Sequence, residues 1–131
     1  MPLDETIAAI TRCCILRSRT KLEALRELVG ESGQLPGSPD PQDLWPLLLE
    51  REELMSTGIG LGIAIPHARV RGLAEPIVVL GLQKDGIPDY ESIDGQTVRI
   101  VILILVAESQ QKEYLRIVAG FVSSLRTGSV R

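Results

Sequence analysis

Apolar residues recur at helical spacing near the start of the chain, where Ile7, Ile10 and Cys14 fall three and four apart. A helix over 4–14 fits this pattern, and "CCILR" fits a short strand equally well. The next segment is clearer. Thr20 and Glu23 form a capping-box pair ahead of Leu22, Leu25, Leu28 and Val29, which trace one face of a helix over 21–31. The stretch "GQLPGSPDP" then carries three prolines and two glycines, too many for a regular element, and reads as a connection inside the domain. Asp40 or Asp43 is placed to cap a second helix reaching to about residue 54. Pro46 is tolerable there only in the first turn, and Trp45, Leu48 and Leu49 supply the buried side.

Beyond residue 55 the pattern changes from helical to extended. Gly58, Gly60 and Gly62 punctuate "TGIGLGIAIPH", in which "GIAIP" reads as a short buried strand ending at Pro66 and His67. The three glycines are read as backbone devices, for tight turns and close approach. Two firmer strands cover 76–82 and 98–106, the second apolar on both faces, as expected of a central strand covered by helices on each side. Between them "KDGIPDYESIDG" holds turn residues and room for one edge strand. A final helix over 109–125 places Leu115, Val118, Phe121, Val122 and Leu125 on one stripe. Intermingled strands and helices predict an α/β fold, a three-layer sandwich in which a mixed sheet is covered by helices on both faces.

Composition narrows the functions this fold can serve. At 131 residues the chain has room for a single core. A hydrophobic share of 44% and a charged share of 24% are those of a globular domain. A net charge of -3 and only 3% aromatic residues remove both the basic surface and the stacking platforms that nucleic acid requires. The longest apolar run, 100–107, is far short of the roughly 20 residues of a spanning helix, and no charged-then-apolar leader opens the chain, so a cytoplasmic protein with no direct membrane insertion is expected. Cys13 and Cys14 are adjacent, unsuited to a disulfide scaffold, and read as small buried hydrophobes in a reducing compartment.

His67 is the single histidine, which excludes multi-histidine zinc sites and relays between imidazoles. Ser56 or Thr57 could complete a triad with it, but no G-x-S-x-G elbow presents a serine nucleophile. The glycines of "TGIGLG" precede a strand rather than open a helix, and no phosphate-loop lysine follows them. What remains is one imidazole after a strand end. A neutral imidazole is a competent nucleophile near pH 7, and one suffices to carry a phosphoryl group. Such a transfer needs cations on the equatorial oxygens, for which Arg51, Arg69 and Arg71 are candidates by proximity in sequence. By default, Arg51 in "EREE" is a solvated helix end and Arg69 and Arg71 are surface charges.

The stretch "EELMSTGIGLGIAIPHA" resembles the signature of the mannitol/fructose-type (type 2) enzyme IIA domains of the bacterial phosphotransferase system. Glu52 takes the acidic-or-amide position, Ile59 and Gly60 the apolar-glycine pair, and "IAIPH" with Ala68 completes it. "LLLERE" and "SIDGQTVRIVILILVAESQQKEYLRIVAGF" resemble the nitrogen-regulatory branch of that family. The resemblance implies that His67 accepts a phosphoryl group from the histidine-containing phosphocarrier protein, or its nitrogen-branch paralogue, with Arg51 stabilising the phosphate. The group then passes to a downstream enzyme IIB domain. The alternative it implies is a regulatory module controlling a transporter or kinase by its phosphorylation state. Neither reading calls for a metal or cofactor. Two departures stand out. Sugar-branch members carry a second histidine where this chain has Tyr114, a neutral donor near pH 7, which implies slower onward transfer. Members also continue for a further helix or two, so residues 1–131 are read as one enzyme IIA-like domain, shortened at its C-terminus or covered otherwise on one side of the sheet.

Overall fold

The computed structural model describes residues 8–126, apart from the side chains at positions 111 and 124–126. Its centre is the strand β6 (Val98–Val106), apolar at almost every position. One neighbour is β5 (Ile77–Ile87), antiparallel, with Val79 opposite Leu103. On the other side β3 (Ile63–Ala64) and β4 (His67–Arg69) run parallel to β6 in succession, with Ile63 opposite Ile100 and His67 opposite Ile104. The segment 63–69 is thus one pass along β6, interrupted because Pro66 has no N–H for the ladder, although its carbonyl still accepts from Ile104 N at 3.0 Å. β1 (Arg12–Ile15) pairs in parallel with β5, and β2 (Gly58–Gly60) pairs antiparallel with β3, giving a six-stranded mixed sheet in the order β1-β5-β6-β3-β2 with β4 also on β6.

Alternation along β6 builds two cores. Val101, Leu103 and Leu105 join Leu25, Leu28 and Val29 of α1 (Lys21–Ser32) and Leu44 and Leu48 of α2 (Pro41–Leu54) on one face. Ile102, Ile104 and Val106 join Ile117 and Phe121 of α3 (Gln111–Arg126) on the other. A strand covered on both sides must be apolar at odd and even positions alike, which is what the run 98–106 predicts. The three-layer α/β architecture expected from the sequence is the one observed.

Several local expectations give way to tertiary context. Of the two readings of the opening segment, residues 12–15 take the strand and not the end of a helix, while 1–7 lie outside the described residues. Thr20 is extended and makes no side-chain cap; the first α1 amide, Lys21 N, donates instead to Asp89 Oδ1 at 2.8 Å, from the loop after β5. Leu22 faces solvent and Ala24 takes its place in the core. Asp40 caps α2 through Gln42 N at 2.8 Å, but Pro46 sits in the second turn, on the exposed side, where the lost hydrogen bond is that of a solvent-facing carbonyl. The buried stripe of α2 is Leu44, Leu48 and Glu52, with Trp45 and Leu49 only half-buried.

β5 runs on to Ile87 through a register break, and no separate edge strand occupies 84–95 among the described residues. A single turn of 3₁₀ helix (Glu108–Gln110) precedes α3, whose inner face is Tyr114, Ile117, Val118, Phe121 and Val122. Leu115 points outward, and the Leu125 side chain lies outside the described residues. Cys13 is exposed and Cys14 half-buried, its thiol pushed up to about 11 by burial and by the nearby Glu31 carboxylate, so it stays protonated near neutrality.

Candidate functional site

Three elements converge at one corner of the sheet. His67 opens β4, Arg51 lies in the last turn of α2, and Tyr114 lies in the first turn of α3. His67 is therefore the first residue of a strand, not a residue beyond its end as the sequence pattern suggests. The hairpin leading to it depends on glycine. A Cβ on Gly58 would fall 2.1 Å from the Glu91 carbonyl oxygen. The β2–β3 turn runs through positive φ at Gly60 (98°), Leu61 (61°) and Gly62 (77°). Leu61 is held in that turn by donating its N–H to Asp94 Oδ2 at 2.9 Å.

The imidazole is half-buried and fixed at both nitrogens. Nδ1 faces the Ile65 carbonyl oxygen at 3.2 Å, and Arg51 Nε–H donates to Nε2 at 3.2 Å. A carbonyl can only accept and a guanidinium can only donate, so the partners assign the proton to Nδ1 and the lone pair to Nε2. Arg51 is itself held by donating from Nη1 to the Met55 carbonyl at the α2 C-terminus, 3.1 Å away. Burial lowers the His67 pKa below its ordinary 6.5; the Ile65 hydrogen bond opposes this, and the cationic Arg51 adds to it. The ring is accordingly neutral at pH 7 and carries a nucleophilic nitrogen beside a cation.

The Tyr114 ring lies 4.6 Å from the imidazole centroid, with its hydroxyl 3.1 Å from Nδ1 and 3.4 Å from Nε2. The structure thus brings Arg51 and Tyr114 within hydrogen-bond distance of His67, from three different elements. Arg69 is exposed on β4 and acts on the imidazole only through its charge, and Arg71 is exposed in the following turn.

Sequence reasoning missed a second cluster directly behind the first. Glu52, next to Arg51 in the chain, turns inward and is 5% exposed. Its Oε1 accepts from the Thr57 hydroxyl and from Tyr90 OH at 3.0 Å, and those two hydroxyls are 2.7 Å apart. Lys21 Nζ lies 3.0 Å from Glu52 Oε2 without hydrogen-bond alignment, so its hold on that oxygen is ionic, and it also sits 4.8 Å above the Tyr90 ring. The Tyr90 hydroxyl is pushed far above its ordinary pKa by burial and by Glu52, so it serves as a permanent donor. Thr57 and Glu52 fall inside the signature stretch, but nothing local marks Lys21 or Tyr90. Among the described residues, no group of three or more His, Cys, Asp or Glu is arranged to hold a metal.

Known proteins resemble this chain in sequence and in fold. The family described as "Phosphoenolpyruvate-dependent sugar phosphotransferase system, EIIA 2" matches residues 13–127. A nitrogen regulatory protein of Bradyrhizobium diazoefficiens is 34% identical over 126 residues, 96% of this chain and 81% of that protein. The fructose-specific EIIABC component of Bacillus subtilis is 32% identical over the whole of this chain, which spans 20% of that longer protein. Mannitol enzyme IIA of Escherichia coli, solved in complex with phosphorylated enzyme IIB, shares the fold at a TM-score of 0.68 with 24% identity over 86% of this chain and 78% of that one.

Proposed function

Because this chain belongs to the EIIA 2 family of the phosphoenolpyruvate-dependent sugar phosphotransferase system, we propose that His67 is its phosphoacceptor and Nε2 the reacting atom. The observation that carries this is the pairing of a neutral, oriented imidazole with Arg51 at 3.2 Å. The Nε2 lone pair attacks phosphorus in line as the donor's P–N bond breaks, and the bonding electrons return to the donor imidazole. The proton on Nδ1 stays with His67, held toward Ile65 O. In the resting state Arg51 Nε–H occupies the attacking lone pair. It moves onto the incoming phosphoryl oxygens as the donor docks, exchanging one charge-assisted bond for a stronger one. Tyr114 OH supplies a neutral hydrogen bond to the same group.

The donor is a phosphohistidine protein, either the histidine-containing phosphocarrier or its nitrogen-branch paralogue. The acceptor is an enzyme IIB domain, as in the Escherichia coli mannitol complex. Leu54 and Met55 beyond Arg51, and Leu115 beside Tyr114, are exposed and give the site an apolar rim suited to a transient protein partner. No described helix is long and apolar enough to cross a membrane. A regulatory role is the second reading. The nitrogen regulatory relative and the tyrosine at 114 favour it, because a slowly discharged phosphohistidine suits a state that a partner reads.

Incubation with the general phosphotransferase proteins and phosphoenolpyruvate, followed by intact mass after acid or alkaline treatment, tests the carrier chemistry. An acid-labile, base-stable single adduct is expected, as for a phosphoramidate. An adduct that survives acid, or none at all, contradicts the proposal.

A further inference from the structure

The buried cluster behind the site has a direct path to the imidazole. Thr57, whose hydroxyl is bound by Glu52, offers its own carbonyl to Ile65 N at 3.0 Å. The carbonyl of that same Ile65 holds His67 Nδ1 at 3.2 Å. Glu52 also follows Arg51 in the last turn of α2, so fixing one side chain inward fixes the direction in which the other leaves the helix. We propose that Glu52, Thr57, Tyr90 and Lys21 form a buried positioning clamp that sets the ring orientation and tautomer of His67 through Thr57 and Ile65, and the reach of Arg51 through α2. This rests on His67 being the phosphoacceptor and names the residues that make it one.

Packing alone does not account for such a cluster. A carboxylate at 5% exposure and a tyrosine at 3% require desolvation that an apolar pair of the same volume avoids. What polar partners add is direction. Lys21 belongs to the first turn of α1 and Tyr90 to the loop after β5, while Glu52 ends α2 and Thr57 precedes β2, so four segments meet on one carboxylate. The loop is tied to α1 a second time, through Lys21 N to Asp89 Oδ1 at 2.8 Å. A shift of any one of them tilts the Thr57 carbonyl and with it the Ile65 peptide. Orientation matters here because an in-line attack loses rate steeply with a small misplacement of the nucleophile.

The test uses the full chain with Thr57→Val, Thr57→Ser and Tyr90→Phe. Two measurements are made: the ring nitrogen NMR shifts of unphosphorylated His67 at neutral pH, and single-turnover phosphorylation against donor concentration. In Thr57→Val and Tyr90→Phe the clamp predicts ring shifts moving toward a mixture of tautomers. It also predicts a maximal rate lower by about tenfold or more, with an unchanged half-saturating donor concentration. Thr57→Ser, which keeps the hydroxyl, restores both readouts. Wild-type ring shifts and rates in the folded variants, with only a lowered urea midpoint, would make the cluster merely structural and overturn the proposal. Should the wild type take no phosphoryl group, the carrier reading fails, and the ring shifts still decide the clamp.

Discussion

Arg51 and Glu52 are neighbours at the end of one helix, yet they serve two environments with opposite rules. Glu52 points into the molecule, where Thr57, Tyr90 and Lys21 surround it and its residue is 5% exposed. Arg51 points out to a half-buried imidazole whose reactive nitrogen it covers by a single exchangeable bond. The inner site is closed and ionic, and losing one partner strands a charge. The outer site is half-open and its reactive nitrogen is held only by a bond that can be exchanged, as a group that must accept a ligand has to be. The contrast teaches that a short signature can encode both the chemistry and its support, because alternate directions from one helix end reach both places.

The contrast can be broken most completely at the outer site. His67→Gln removes the nucleophile while keeping a half-buried polar side chain, so phosphoryl labelling falls to background with an unchanged urea unfolding curve; retained label moves the acceptor elsewhere. At the inner site Lys21→Met leaves the Glu52 carboxylate buried without its cation, and a loss of about 3–5 kcal/mol is expected by denaturant titration. A loss below about 1 kcal/mol would show that the pair behaves like a surface ion pair. The two variants should therefore differ: His67→Gln loses the chemistry and keeps stability, whereas Lys21→Met loses stability and, through the misplaced imidazole, also slows the chemistry.

Arg51→Ala sharpens the outer site further. A charge-assisted bond to the phosphoryl group contributes about 1.5–3 kcal/mol, so phosphorylation slows about ten- to a hundredfold, while Arg69→Ala changes it little. The pH profile supplies the sign. Burial and Arg51 both lower the His67 pKa below 6.5, so the inflection at which the wild-type rate falls, as the lone pair is protonated, lies on the acid side of pH 6.5. Arg51→Ala removes one lowering influence, and its inflection moves upward. An unmoved inflection with equal rates for the two arginine variants would return Arg51 to a solvated helix end. The smallest expected effect is at Tyr114. Replacing a neutral donor by a second imidazole, Tyr114→His, is worth about 1 kcal/mol, a several-fold faster transfer to a sugar-branch enzyme IIB domain. No change would take away the main chain-specific support for the regulatory reading.

What could be read in the sequence follows the range of the interactions involved. The double-faced strand 98–106 and the capped start of α2 at Asp40 are set by neighbouring residues, and both appear where the pattern puts them. His67 stands out because it is the single histidine at a strand terminus within a recognisable stretch. Thr20 makes no side-chain cap, and the helix start is held instead by a carboxylate from position 89 on the first amide, a partner far off in sequence. Spacing places Leu22 and Leu115 on buried faces, yet both are exposed, since which arc of a helix is covered depends on where the sheet lies. Glu52 stands in the sequence only as the acidic position of the signature, and only the folding of Lys21, Thr57 and Tyr90 around it turns it inward. A cluster drawn from four separated segments leaves no periodic trace.

The most direct test of the account is to find which nitrogen of His67 carries the phosphoryl group, by nitrogen NMR of the isotope-labelled, phosphorylated chain. Nδ1 is turned toward the Ile65 carbonyl and Nε2 toward Arg51, so phosphorus coupling is predicted on Nε2, with the proton remaining on Nδ1. Phosphorus on Nδ1, or a chain that the phosphocarrier leaves unmodified, would contradict it.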